Sequence, residues 1–189
     1  MSRYFYIDCE DYLDLEAFHL LVQKHLGYGT KLRLKLRDEG YGGQFYIEGQ
    51  STRGIEVDKE GDRLRLHVPL LADYADFFLA KLFLDIFHQF LSAAVLDEDG
   101  DEVVVREHFS DENIQQLREM DSRVFLVMLK NMTDSITLAA PVAEVVFGKV
   151  EAEHFIQCQL DAMELTQRLT SYIGGCQWGE SEDAGEGDK

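Results

Sequence analysis

The chain has 189 residues, enough for one domain with a sizeable hydrophobic core. Apolar residues make up 46% and charged residues 29%, as in an ordinary globular protein, but 36 acids against 18 bases leave a net charge of −18. That charge repels phosphate backbones and anionic membrane surfaces, so direct nucleic-acid and membrane binding are set aside and a basic protein partner is favoured.

Three cysteines, Cys9, Cys158 and Cys176, show no C-x-x-C spacing. This argues against a disulfide scaffold or a zinc ribbon and for a reducing, cytoplasmic setting. No basic and then apolar leader opens the chain, so no secretory signal is expected.

Residues 3–7 have the aromatic and β-branched content of a strand. A carboxylate cluster follows: Asp8, Glu10, Asp11, Asp14 and Glu16. Asp8-Cys9-Glu10 resembles the D-x-E signature of two-metal 3′–5′ exonucleases, which would make the chain a metal-dependent phosphate-ester hydrolase built on Asp8 and Glu10. The further motifs of those enzymes are absent. A helix N-terminus capped by Asp14 explains the later acids by the helix dipole alone, so no metal or cofactor is expected. That helix runs to Leu26 with Leu15, Phe18, Val22 and Leu26 on one face, and Gly27 ends it.

The stretch "KLRLKLR" is the clearest strand. Lys31, Arg33, Lys35 and Arg37 alternate with Leu32, Leu34 and Leu36, giving one basic and one apolar face. After the turn "DEGYGG", strands near 44–49, 53–58 and 63–68 follow through short connections, which makes an antiparallel β-meander. Arg63 and Arg65 extend the basic face and give an alternative binding surface. Glu48, Glu56 and Asp58 on neighbouring strands point instead to cross-strand ion pairs.

Residues 73–94 read as a long helix, apolar except for a stripe of Lys81, Asp85, His88 and Ser92. Its expected core residues are Phe77, Phe78, Leu82, Phe83, Ile86 and Phe90. The charges in its middle make it a buried helix, not a membrane span. "LDEDGDEVVV" reads as a hairpin turning at Asp99-Gly100. Its acids do not fit a calcium loop, because Val95 and Arg106 would fall at ligand positions. Ser110 caps a helix opened by Asp111 and Glu112, and residues 122–132 fit either helix or strand. "SITLAAPVAEVVFG" is strand material broken by Pro141. A last helix over about 150–173 places Phe155, Cys158, Ala162, Leu165, Leu169 and Tyr172 on one seam, and Gly174-Gly175 is expected to stop it.

These elements predict a single α+β domain over 1–175, an antiparallel sheet covered by helices, with a disordered acidic tail over 176–189. Three carboxylate-x-x-His pairs (Glu16/His19, Asp85/His88, Glu151/His154) have the spacing of di-iron ligands but sit on polar flanks, whereas such ligands face a bundle core. No nucleophile motif or phosphate-binding glycine loop is present. Between residues 97 and 121, ten acids face two arginines, a net −8 in 25 residues. The expected function is therefore a non-catalytic, acidic protein-interaction module, of the inhibitor or immunity-protein kind, that neutralises a basic partner. Its expected binding residues are Asp97, Asp99, Asp101, Glu102, Asp111 and Glu112. A structural subunit whose acidity serves solubility is the remaining reading.

Overall fold

In a computed structural model, the described residues are 3–9, 13–37, 42–158 and 160–179. Glu10, Asp11, the 38–41 part of the "DEGYGG" turn and the tail from 180 to 189 lie outside them. The elements are β1 (Arg3–Asp8), α1 (Leu15–Leu26), β2 (Leu32–Leu36), β3 (Gly42–Ile47), β4 (Ile55–Glu60), β5 (Arg63–Val68), α2 (Tyr74–Leu91), β6 (Val95–Leu96), α3 (Val105–His108), α4 (Asp111–Asn131), β7 (Ile136–Leu138), β8 (Val145–Phe147), α5 (Lys149–Gln157) and α6 (Ala162–Trp178).

Strands β2 to β5 form the meander, β1 adds antiparallel to β5, and β6 closes the far edge, in the order β2-β3-β4-β5-β1-β6. The fold is thus the expected α+β arrangement of an antiparallel sheet and helices. Alternation sets its two faces. Phe5, Ile7, Leu32, Phe45, Ile47, Ile55, Val57, Leu64, Leu66 and Val68 point to one side and are buried. Helix α2 covers this side against β3, β4 and β5, and α1 lies against β2 and α2.

Asp14 caps α1 by accepting from the backbone N–H of Glu16 and Ala17, and Gly27 ends the helix at φ +78°, as the sequence implies. Helix α2 begins with a capping box, Asp73 and Asp76 each accepting the other's backbone N–H. Phe77, Phe83 and Ile86 are buried as expected, but Phe78 and Phe90 are 53% and 61% exposed and Leu82 is half-buried. Phe78 falls on the Lys81/Asp85 stripe. Phe90 shares a face with Phe83 seven residues earlier, but at the end of the helix nothing covers it. The core uses Leu79, Ala80, Leu84 and Phe87 instead.

A second core lies between α4, α5, α6 and the β7–β8 hairpin, with Phe125, Leu129, Val145, Phe147, Phe155, Leu165, Leu169 and Ile173 buried. Residues 122–131 are therefore helix, the C-terminal half of α4. Ser110 caps α4 as expected, and Pro141 lies between β7 and β8. Two helix boundaries differ from expectation. The helix expected over 150–173 is two helices, broken between Gln157 and Ala162, with Asp161 capping the second through the N–H of Glu164. Gly174-Gly175 does not stop α6, which continues to Trp178. Residues 176–178, placed in the tail by the sequence, are helical, and Gln177 is buried, binding the backbone of Val142 and Ala143.

The two cores meet at a buried polar seam. Arg3, on the core side of β1, donates to both carboxylate oxygens of Asp121 at 3.1 and 2.8 Å. Asp121 also accepts from the N–H of Leu71, and Asp76 accepts from Thr52, Arg53 and Gly54. Leu71 sits at φ +64°, where a branched side chain is strained by roughly 1–2 kcal/mol. Its side chain is buried in the second core, and its N–H and C=O are fixed by Asp121 and Thr52. Those fixed contacts hold the strained turn in place.

Candidate functional site

The acidic hairpin forms as expected. Leu96 bridges Glu102, the N–H of Gly100 donates to the carbonyl of Asp97, and the N–H of Val103 returns to Val95. Its second arm soon becomes α3 instead of a strand. One carboxylate is spent on the turn itself: Asp97 Oδ1 accepts the N–H of Asp99 and of Asp101 at 3.0 and 2.9 Å. Glu98, Asp99, Asp101 and Glu102 are exposed, as are Asp111 and Glu112 in the first turn of α4. None of these six forms an ion pair among the described residues. Asp121, counted with them in the sequence, is inside the protein and paired with Arg3.

The basic ladder lies on the outer face of the sheet and is largely neutralised there. Arg33 pairs with Glu48, and Arg37 with both Glu56 and Asp58 at 2.8 and 2.7 Å. Arg65 bridges Asp58 and Glu60, and Arg63 pairs with Asp8. Lys31 and Lys35 are exposed without ion pairs among the described residues. In the middle of this face His67 stacks on Tyr4 at 4.5 Å and hydrogen-bonds Glu56. That hydrogen bond, helped by Arg37, holds the Glu56 carboxyl down at about 2. Beside it, between the sheet and residues 139–144, runs a cleft of about 610 Å³.

The Asp8 and Glu10 pair cannot be drawn as a site. Asp8 is exposed and engaged by Arg63, and Glu10 lies outside the described residues. Among the described residues, no group of three or more His, Cys, Asp or Glu is placed to hold a metal ion. In the carboxylate-x-x-His pairs, His19 and His88 are turned to the backbone carbonyls of Leu32 and Ala93.

A further cleft escaped the sequence reading. It measures about 540 Å³ and lies where the N-terminus of α2, the middle of α4 and the end of α6 converge, lined by Asp73, Tyr74, Arg118, Ser171, Gly175 and Trp178 among others. Arg118 lies over the ring of Tyr74, 4.1 Å from its centroid, and Trp178 Nε1 donates to the carbonyl of Ser51. The signal was present in the sequence as a break in a seam. Ile114, Arg118, Asp121, Ser122, Phe125 and Leu129 repeat at helical spacing, with three polar residues where apolar ones belong.

Comparison with protein-family models, with curated proteins and with solved structures finds no match for this chain. Among the described residues, no helix is long and apolar enough to cross a membrane.

Proposed function

We propose that the protein is a non-catalytic interaction module whose acidic edge, the hairpin at 97–102 with the first turn of α4, docks a basic protein partner. One contrast carries this reading. The arginines of the sheet face are tied to acids beside them, whereas the exposed carboxylates of Glu98, Asp99, Asp101, Glu102, Asp111 and Glu112 have no cation of their own among the described residues. Unpaired charges on the hairpin and on the first turn of α4, in a molecule at −18, would set up a field that speeds encounter with a cationic surface. The Asp97 turn fixes the loop that carries three of them, so little order is lost on docking.

The test is the triple change Asp99→Asn, Asp101→Asn and Glu102→Gln, compared with the unaltered protein in capture of basic proteins from a native extract and in association kinetics with the captured partner. The expected result is association slowed by about tenfold or more at low ionic strength, a flatter salt dependence and no loss of melting temperature. Affinity that survives the change intact would remove the edge from the interface and leave its acidity a matter of solubility.

A further inference from the structure

We propose that the cleft between α2, α4 and α6 binds a small organic monocarboxylate, with Arg118 as its counter-ion. This inference is independent of the acidic edge. It rests on a buried guanidinium that has no hydrogen bond or contact ion pair among the described residues. Arg118 is 8% exposed, yet its guanidinium makes no hydrogen bond or ion pair among the described residues, and its Nε is fully buried with no acceptor. A buried charge is normally paired, because desolvation without compensation is costly. The other buried arginines are better compensated: Arg3 is paired with Asp121, and Arg53, though without a contact ion pair, donates to the carbonyls of Leu70 and Ala139.

The acid nearest to hand does not close the gap. Asp73 feels the Arg118 charge but forms no contact ion pair with it; it accepts the N–H of Asp76 at the helix cap, and burial together with the neighbouring Asp76 carboxylate pushes its carboxyl well up despite Arg118, which weakens it as a counter-ion. What Arg118 has instead is the face of Tyr74, which suits a guanidinium but carries no net charge.

The cleft around it fits a small molecule in size. Its floor includes Gly174 and Gly175, inside a helix where glycine is disfavoured. The packing does not demand them: an added Cβ at Gly175 meets nothing within 4 Å, and at Gly174 only Thr52 Cγ2 at 3.9 Å. Their missing side chains keep the space open. Tyr74 and Trp178 supply aromatic surface for an apolar body, and the exposed Ser171 supplies a hydroxyl. Charge counting selects the head group. Among the described residues lining the cleft, Arg118 is the one cation and Asp73 the one acid; with burial pushing Asp73 toward its neutral form and the molecule at −18, one negative charge is accommodated where a phosphate dianion would be repelled. The planar guanidinium fork also matches a carboxylate.

The full-length protein, titrated with phenylacetate, 2-phenylethanol and inorganic phosphate, tests this. Trp178 is the only tryptophan and lines the cleft, so its fluorescence reads occupancy directly, with calorimetry as the second readout. Phenylacetate is expected to give a saturable change below about 10 mM, with phenylethanol and phosphate at least about tenfold weaker. Arg118→Met should abolish the response while holding or raising the melting temperature, because it removes an uncompensated buried charge. Arg118→Lys, which keeps the charge but loses the fork, should weaken binding and serves if the Met variant does not fold. No saturable response, equal binding of phenylethanol or phosphate, or undiminished affinity in either folded variant would overturn the proposal. An arginine that merely braced the fold would show the reverse split, with stability lost on change to Met and probe affinity kept.

Discussion

Phe83 marks the centre of the first core. It is fully buried on α2, with its ring edge-on to Phe18 at 4.9 Å and to Phe45 at 4.7 Å, so α1, α2 and β3 all meet there. Phe83→Ala leaves a hole that the rigid rings of Phe18, Phe45 and Phe87 cannot fill, and urea unfolding should show a loss of about 3–5 kcal/mol. The helical repeat located Phe83 correctly and misplaced Phe78 and Phe90, because periodicity gives the face of a helix but not where its cover begins and ends. Glu56 provides a second residue-level check. Its carboxyl lies at about 2 when folded, chiefly through the hydrogen bond from His67, against an ordinary 4.5. The folded value is the lower one, so this contribution to stability is fully present above about 4.5 and is lost as pH falls toward about 2. A carbon-detected titration of the glutamates should find Glu56 as the low outlier, and Arg37→Ala should move its midpoint upward.

At the scale of elements, local chemistry written in a few adjacent residues was legible. Both expected caps, Asp14 and Ser110, accept backbone N–H groups, and the Asp99-Gly100 turn forms because Gly100 takes φ +85°. Partners brought in from far along the chain were not legible. Two glycines in succession read as a helix stop, yet α6 passes through them because contacts beyond hold it: Gln177 binds the backbone of Val142 and Ala143, and Trp178 binds Ser51. Neither contact has a local sequence signature. The cleft was hidden for the same reason, since Arg118, Asp73 and Trp178 come from three separate helical regions. Gly175→Ala should stabilise the protein by about 0.5–1 kcal/mol, because the residue is helical and an added methyl meets nothing. Native Trp178 emission should lie to the blue of the unfolded chain and shift red in denaturant. Solvent-like native emission would mean that the last turn of α6 is undocked.

Across the whole molecule, the charges sort into two kinds. On the sheet face, acids and bases interleave at contact distance, and several of them are half-buried. On the hairpin and the start of α4, the exposed acids form no ion pair among the described residues. Salt acts differently on the two. Contact pairs at about 3 Å that are partly shielded from water are only weakly screened, while repulsion between exposed charges about 10 Å or more apart is largely screened once the Debye length drops from about 30 Å at 0.01 M to about 8 Å at 0.15 M. With twice as many acids as bases, the repulsive sum dominates. The melting temperature should therefore rise between those two ionic strengths. The rise should be smaller in the Asp99→Asn, Asp101→Asn, Glu102→Gln variant, which removes three of the unrelieved charges. A fall with added salt would show the opposite balance, with the ion pairs of the sheet outweighing repulsion at the edge.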